Sequence, residues 1–327
     1  MSQTPYTNIH TPVLLAEVID ALTHNLDERI GSKKLIFVDG TFGGGGYSYS
    51  LGQSLKESTI VDFRILASDL DSLAITKADL ELLDQNQIEL SQTNFLNLIN
   101  SCEDDSLAGI MLDLGFSSNQ LTYGERGFSY QDGDQVLDLR FDSNGGRSCS
   151  QKLFQLKDAE ALRKVIFRFS GEKFSNSIAR HIFELVLKIK KTPNHTTDIQ
   201  VSQIVAAVEI AVPAKFKKNL ISTLSRVWQA LRIWTNDEFG SLESVLPIAL
   251  DKLQSGGRLV IVDFHSLEDK IVASFMRQAS TRLVIDSLGT KAQDFVLLTP
   301  RGIHPSEVEI SDNPRSRSAI MRVLEKA

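Results

Sequence analysis

The sequence is poor in cysteine and has no long apolar run. Its 327 residues include two cysteines, Cys102 and Cys149, too few for a disulfide framework, and neither lies in a C-x-x-C pair. No His/Cys cluster indicates zinc, so no metal site is predicted. No apolar run reaches the roughly 18 residues of a membrane helix, and residues 1–12 lack a signal-peptide pattern. We therefore expect a cytoplasmic protein without a membrane partner.

The chain also lacks an overall excess of positive charge, since its net charge is −6. That balance argues weakly against a nucleic-acid partner. The segment from Gln151 to Leu220 differs, because 13 Lys/Arg stand there against 6 Asp/Glu, a net +7. A basic segment in an acidic protein is typical of a surface that binds a polyanion, although helices with a charged solvent face give the same count.

Glycine is concentrated at one place, Gly43 to Gly46, shortly after the apolar run 35–38 and Asp39. This pattern predicts a strand, a tight turn and the start of a helix. Glycine alone adopts positive φ without strain and lets a ligand approach the main chain closely. In open α/β sheets such a turn is typical of a site for a nucleotide-like cofactor. A flexible turn without a ligand is the alternative.

The glycine turn does not match the two common phosphate-binding fingerprints. Ser48 stands where G-x-G-x-x-G has its third glycine, which disfavours a NAD-dependent dehydrogenase, and no lysine follows as in a P-loop. Asp39 would repel a pyrophosphate and suits a cofactor with positive charge. The pattern Asp39-x-Thr41-x-Gly43-x-Gly45 therefore favours S-adenosylmethionine, which carries a sulfonium and an ammonium.

Two further acids follow predicted strands. Asp69 comes after the strand 64–68 and can accept both ribose hydroxyls, whereas Asp71 is equally explained as a helix N-cap. Asp113 comes after the strand 108–112, with Ser117 and Ser118 behind it. An amine that accepts a methyl group needs hydrogen-bond acceptors that orient its N–H groups. We expect Asp113 near the methionine end of the cofactor and the substrate amine, with the serines secondary.

A third segment, Asp263 to Asp269, follows the strand 258–262 and reaches the same edge of the predicted sheet. His265 is predicted to face the mouth of the pocket and is a catalytic candidate. Ser266-x-x-Asp269 also fits a capping box that opens a helix ending near Met276, so a purely structural segment is the alternative.

Several motifs, in this order, resemble the bacterial RsmH (MraW) family of small-subunit ribosomal RNA cytosine-N4 methyltransferases. The most specific are ERGFS at Glu125–Ser129 and FHSLED at Phe264–Asp269. The others are His10–Leu15, Asp39–Gly43, Leu112–Gly115 with Ser117, Ser118, Gln120 and Leu121, Gln229–Ile233 and Asn313–Arg315. Together they span almost the whole chain.

The resemblance implies an α/β fold with a class I S-adenosylmethionine-dependent methyltransferase (Rossmann-like) domain and an inserted helical domain. Alternating strands and helices place the methyltransferase domain at 1–122 and 218–327, and the inserted substrate-recognition domain at 123–217. The implied donor is S-adenosylmethionine, and the implied acceptor is a cytidine in the decoding region of 16S rRNA in the small ribosomal subunit. A homodimer is left open. Carried over by position, the cofactor contacts are Gly45, Gly46, Tyr47, Asp69, Phe95, Asp113 and Gln120, beside Asp39 and Gly43 of the turn.

The chain departs from the family pattern in places. Tyr47 stands where the family usually has histidine, and a His-Pro-Ala segment expected upstream of Gln229 is replaced around residues 221–227. These departures leave open a divergent member that acts on another RNA, and a non-catalytic RNA-binding assembly factor. A DNA amino-methyltransferase is disfavoured, because Asp113-Leu114-Gly115-Phe116 replaces the Pro-Pro-aromatic segment of those enzymes.

Overall fold

The computed structural model describes residues 12–30, 34–58, 62–115, 125–285 and 291–327. The chain divides into two compact units. The first, here called the sheet unit, comprises Met1–Gly115 and Gly240–Ala327. The second, here called the helical unit, comprises Phe116–Phe239 and is inserted in the sequence of the first.

The sheet unit contains a seven-stranded sheet in the order β3-β2-β1-β4-β5-β9-β8. Strands β1 to β5 are parallel, and β9 is antiparallel to both of its neighbours. The strands are β1 (Leu35–Asp39), β2 (Phe63–Asp69), β3 (Ile88–Gln92), β4 (Leu107–Asp113), β5 (Leu253–Asp263), β6 (Leu283–Ile285), β7 (Lys291–Gln293), β8 (Phe295–Leu297) and β9 (Ile320–Lys326), of which β6 and β7 form a separate pair. The predicted parallel α/β sheet is confirmed.

The helices are interleaved with these strands. In chain order they are α1 (Leu15–Thr23), α2 (Leu26–Ile30), α3 (Gly46–Glu57), α4 (Ser72–Thr76), α5 (Leu80–Gln85), α6 (Phe95–Ser101), α7 (Cys149–Gln155), α8 (Ala159–Ser170), α9 (Ser175–Lys190), α10 (Val201–Ala211), α11 (Leu220–Asn236), α12 (Glu238–Lys252), α13 (Ser266–Ser280) and α14 (Glu307–Asp312). Two 3₁₀ turns lie at Ala214–Asn219 and Pro314–Ser318. Within the described ranges, none of these helices combines the length and the apolar character needed to cross a membrane.

Both faces of the sheet are covered by apolar layers. Phe37 and Val38 of β1 are buried in separate layers, one with residues of α1 and α3 and the other with residues of α6, α12 and α13. Residues of β4 are buried at every position from Leu107 to Leu112. A strand buried on both sides has no place for polar side chains along its length. The acids of β1 and β4 therefore lie where these strands end.

The carboxyl ends of four strands meet at one edge of the sheet, here called the carboxyl edge. The register pairs Asp39 with Ala67 on β2 and with Met111 on β4. It then pairs Asp113 with Val262 on β5. The strand-end segments of β1, β2, β4 and β5 therefore lie side by side, as the sequence predicts.

The helical unit extends further along the chain than the predicted end at residue 217. Leu224, Val227 and Leu231 of α11 are buried in the apolar core that also contains residues of α7 to α10. The amphipathic pattern shows that α11 buries one face, but not which core receives it. The boundary therefore lies at Phe239, and the predicted boundary at 217/218 is wrong.

The ERGFS motif has a packing role inside the helical unit. Gly127 has φ +72°, and a Cβ there would lie 2.7 Å from the Val136 carbonyl oxygen. The Gly127 carbonyl accepts a hydrogen bond of 2.9 Å from the Trp228 indole, and Arg126 donates to the Phe141 carbonyl at 2.9 Å. The Trp228 hydrogen bond therefore attaches the ERGFS motif to α11.

Candidate active site at the carboxyl edge

The glycine turn joins β1 to α3 and adopts the predicted left-handed conformations. Gly43 has φ +54° and Gly45 has φ +80°. A Cβ at Gly45 would lie 2.4 Å from the Tyr49 ring and 2.6 Å from the Phe42 ring. Glycine is thus required at position 45 both by the backbone conformation and by two neighbouring aromatic rings.

The backbone of the turn is packed just as tightly at Gly46 and Gly40. A Cβ at Gly46 would lie 2.4 Å from Pro12 Cγ, and a Cβ at Gly40 would lie 2.6 Å from Phe95 Cβ. Phe95 is the first residue of α6 and is partly buried, so the structure brings it to the end of β1. Its predicted contact with the cofactor stays a prediction.

Asp39 fixes the shape of the turn. Its Oδ1 accepts a hydrogen bond of 3.0 Å from the Thr41 N–H, and its Oδ2 accepts one of 2.6 Å from the Ser48 hydroxyl. The side chain is buried, and burial raises its pKa to about 6. Asp39 therefore ties the end of β1 to the first turn of α3, and a contact of its own with the cofactor stays a prediction.

Asp69 connects the end of β2 to the same turn. Its Oδ2 accepts the Gly43 N–H at 2.8 Å and its Oδ1 accepts the Asp71 N–H at 2.8 Å. A carboxylate oxygen can accept two hydrogen bonds, so each oxygen retains capacity for a ribose hydroxyl. Burial is the main cause that raises the pKa of Asp69. Asp71 caps α4 by accepting the Leu73 N–H, which is the alternative role that the sequence offers for it.

The side chain of Tyr47 lies in the core rather than along the turn. It is 4% exposed, and its hydroxyl donates a hydrogen bond to the Val13 carbonyl. A side chain in the first turn of a helix leans toward the helix N-terminus. Tyr47 therefore reaches Val13, in the segment just before α1. The phenol is therefore occupied by the protein, and only a main-chain contact of Tyr47 with the cofactor stays a prediction.

Asp113 ends β4 with an unpaired carboxylate oxygen. Its N–H donates to the Thr41 hydroxyl at 2.7 Å, which joins β4 to the glycine turn. Its Oδ1 is buried and has no hydrogen-bond partner among the described residues. Burial raises the pKa of Asp113 well above its ordinary value, and the Asp39 and Glu268 carboxylates raise it further. A buried acceptor without a donor calls for an N–H group or a positive charge from a ligand.

Three residues named from the sequence lie outside the described residues. These are Ser117, Ser118 and Gln120. Their roles beside Asp113 stay predictions.

His265 caps α13, which corrects the predicted capping box. Its Nδ1 accepts the Glu268 N–H at 3.2 Å, and Glu268 Oε2 accepts the Phe264 N–H at 3.0 Å. The N-cap is therefore His265, one residue before Ser266, and the imidazole nitrogen takes the place of a hydroxyl oxygen; Glu268 accepts the Phe264 N–H rather than the His265 N–H, so the reciprocal bond of a capping box is not formed. The His265 Nε2 lies 3.2 Å from Glu268 Oε1. A catalytic role for His265 stays a prediction beside this observed structural one.

Asp263 opens the predicted segment Asp263–Asp269 but is not among the candidate site residues predicted from the sequence. It ends β5 beside Asp113, is fully buried, and neither of its oxygens has a partner in the described part of the chain. Burial, together with Asp269 and Glu268, raises its pKa to about 8, and Arg322 opposes this rise. The signal was present, since an acid directly after an apolar strand is the pattern that marks Asp113.

The family is decided by comparison with known proteins. The MraW methylase family matches residues 7–327. The chain belongs to this family. Three curated relatives are each named ribosomal RNA small subunit methyltransferase H. The protein of Heliobacterium mobile is 34% identical over 97% of this chain and 98% of its own length. That of Granulibacter bethesdensis is 36% identical over 98% and 92%, and that of Wolbachia sp. subsp. Drosophila simulans is 35% identical over 97% and 99%.

A solved structure was also compared. A putative methyltransferase from Streptococcus mutans in complex with SAH aligns over 100% of both chains, at 12% identity and a TM-score of 0.40. The strand order, rather than this alignment, carries the fold assignment.

As an MraW methylase with the class I fold, the chain is a methyltransferase whose methyl donor is S-adenosylmethionine. The residues at the carboxyl edge fit this donor. The Asp113 oxygen without a partner suits a positive charge, and Asp69 retains acceptor capacity beside the glycine turn. No basic residue is needed, because the donor carries no phosphate.

Proposed function

We propose that the chain methylates the N4 atom of one cytidine in the decoding region of 16S rRNA. The coarser part of this proposal, methylation of small-subunit rRNA, is supported by relatives that carry that name over nearly their full length. The finer part, the cytidine N4 in the decoding region, comes from the family resemblance of the motifs.

The proposed cofactor site comprises the glycine turn and the strand-end residues around it. Asp69 accepts the ribose hydroxyls, Phe95 packs on the adenine, and the main chain of Gly45 to Tyr47 lies along the methionine part. Gln120 and Ser117 complete the predicted set from outside the described residues. The hydrogen bonds of Asp39 and Asp69 hold the turn in its shape before the ligand arrives.

The observation that carries the proposal is the buried Asp113 Oδ1, which has no hydrogen-bond partner among the residues that the structure describes and lies at the same edge as the glycine turn. S-adenosylmethionine supplies a methyl group already activated by a sulfonium. The reaction therefore needs little beyond in-line positioning of the amine. Asp113 supplies an acceptor that orients a substrate N–H, and its raised pKa suits it to receive a proton.

The bonds and protons balance in this scheme. The N4 lone pair would form the new N–C bond as the C–S bond breaks, and the C–S electron pair would stay on the sulfur, which becomes a neutral thioether. The amine then carries an extra proton, which Asp113 accepts and releases to water. A base inside a helix cannot reach this edge, so the cytidine must leave its stack.

The test is methyl transfer to small ribosomal subunits from a strain that lacks its own enzyme of this kind. Labelled S-adenosylmethionine is added with the purified protein, and the digested nucleosides are identified by mass spectrometry. We expect N4-methylcytidine at one site. Subunits from a strain that retains the enzyme are the control and should accept no label.

The other outcomes separate the remaining alternatives. Label in a different nucleoside or a different RNA would indicate a divergent member with a shifted target. No transfer to any RNA, while the donor still binds, would indicate a non-catalytic assembly factor and overturn the proposal.

A further inference from the structure

The helical unit contains a compact cluster of two lysines and two phenylalanines. The Phe174 and Phe216 ring centroids are 5.1 Å apart, with an interplanar angle of 51°. The Lys173 Nζ lies 4.9 Å from the Phe174 centroid and 4.3 Å from the Phe216 centroid, and the Lys215 Nζ lies 5.1 Å from the latter. We call these four residues the lysine–phenylalanine cluster.

The cluster lies in a stretch of chain without acids. From Val212 to Gln229 the sequence has no Asp or Glu, while Lys215, Lys217 and Lys218 follow one another in the 3₁₀ turn Ala214–Asn219. These three lysines and Lys173 are exposed. Among the described residues none of the four forms an ion pair with an acid, so their charge is available to a ligand.

The acid next to Lys173 is already neutralised. Glu172 is fully buried; its Oε2 accepts a hydrogen bond of 2.7 Å from Arg226 Nε and lies 2.6 Å from Arg226 Nη2 in an ion pair. Its Oε1 accepts the Phe174 N–H at 2.9 Å. Glu172 therefore ties the loop between α8 and α9 to α11, so that the main chain of Lys173 and Phe174 is held in place. The nearest acid before the basic run is Glu209 in the last turn of α10.

We propose that the lysine–phenylalanine cluster, with Lys217 and Lys218, binds the sugar–phosphate backbone of RNA without reading its bases. This inference rests on the proposed function, which supplies RNA as the partner. Ammonium groups are compact donors for phosphate oxygens. Two ammonium groups already lie over the Phe216 ring, so the ring stabilises the lysines through cation–π contacts rather than stacking on a base. Phosphate contacts of this kind position an RNA but carry no sequence information.

The test uses the double variant Lys173→Ala/Lys215→Ala in the full-length protein. Its matched control is Lys34→Ala/Lys56→Ala, which removes the same charge at the opposite ends of β1 and α3 from the glycine turn. Binding is measured to small ribosomal subunits and to poly(U) over a series of salt concentrations. We expect the cluster variant to bind about tenfold more weakly near 0.1 M salt. Its slope of log affinity against log salt should be lower by about 2, roughly one per lysine.

A second variant separates phosphate binding from base stacking. Phe216→Leu keeps an apolar side chain below the lysines, so we expect less than about threefold weaker binding and an unchanged salt slope. Stacking of a base on Phe216 would instead cost about 5- to 150-fold. Such a loss, with the lysine variant unaffected, would overturn the inference.

The outcomes also separate this inference from the proposed function. If the wild type methylates subunits while the lysine variant keeps the wild-type salt slope on both RNAs, the cluster inference is wrong and the proposed function stands. If the wild type methylates nothing but the lysine variant shows the lower slope on poly(U), the proposed function fails and the RNA-binding surface stands. An acidic protein as the true partner would give the first result.

Discussion

The two halves of the carboxyl edge treat their carboxylates differently. At β1 and β2, both oxygens of Asp39 and both oxygens of Asp69 accept a hydrogen bond from the protein. At β4 and β5, Asp113 Oδ1 and both oxygens of Asp263 are buried without a partner in the described residues. Acids at neighbouring strand ends of one sheet therefore have opposite environments: Asp39 and Asp69 are hydrogen-bonded by the protein, whereas Asp113 and Asp263 each have buried oxygens without a partner in the described residues.

The difference separates residues that hold the fold from residues that await a ligand. A carboxylate that accepts main-chain N–H groups fixes the chain around it. A buried carboxylate without partners destabilises the free protein, and only a ligand or a proton relieves that cost. Substitutions in the first half should therefore lower stability, whereas substitutions in the second half should change activity or pH dependence and leave stability equal or higher.

The largest expected effect is that of Asp113→Asn on methyl transfer. Asparagine cannot receive the proton of the amine and offers no negative charge, so we expect activity to fall by about 100-fold or more. The melting temperature of the free protein should not fall, because a buried unpaired carboxylate is removed. Methyl transfer to RNA and thermal unfolding are measured on the same preparation.

Asp71→Asn is the matched control for this change. Asparagine caps a helix as well as aspartate does, so activity and stability should stay near those of the wild type. Wild-type activity in Asp113→Asn would contradict the role proposed for Asp113.

In the first half of the edge, Gly45→Ala should lower the free energy of unfolding by about 3 kcal/mol. The new Cβ would meet the Phe42 and Tyr49 rings at 2.4–2.6 Å, and the residue would remain at φ +80°. Chemical denaturation measures the loss. The control is Gly133→Ala, where the nearest atom to the new Cβ is Ser202 Cβ at 3.4 Å and little change is expected. Equal stability of the two variants would show that the turn tolerates a side chain.

In the second half of the edge, Asp263 should make the stability of the protein depend on pH. Its pKa is about 8 in the folded protein against an ordinary value of 3.8, so between these values unfolding releases a proton. The unfolded state then binds fewer protons, and the stability of the wild type falls as pH rises. Asp263→Asn has no such proton. It should therefore gain about 3 kcal/mol relative to the wild type between pH 5 and pH 7.5.

Denaturant unfolding at the two pH values measures this gain. Asp134→Asn, the same substitution at an exposed acid in a turn, is the control and should follow the wild type at both. A constant difference between Asp263→Asn and the wild type would mean that Asp263 is ionised in the folded protein.

The sequence predicts the strands and their terminal acids well, but not the directions of side chains. Parallel strands buried on both faces are apolar runs, so an acid such as Asp113 marks their ends clearly. Which acids find partners is decided by neighbours from other strands, such as the Gly43 N–H on Asp69. The cap of α13 shows the same limit, since the sequence predicts Ser266 as the capping residue whereas the structure has His265 as the N-cap.

Tyr47 is predicted from the sequence to contact the cofactor, but its side chain is buried in the core; Tyr47→Phe should have the smallest effect of these changes. The variant leaves the buried Val13 carbonyl without its hydrogen bond, which should lower stability by about 1 kcal/mol. Donor affinity, measured by calorimetry, should stay within about twofold of the wild type, because the phenol points into the core. Tyr49→Phe is the control, since its hydroxyl accepts a longer bond of 3.3 Å from the Asp79 N–H. A tenfold loss of donor affinity in Tyr47→Phe alone would place the phenol at the ligand. The first half of the edge would then bind the donor through a side chain as well as hold the turn.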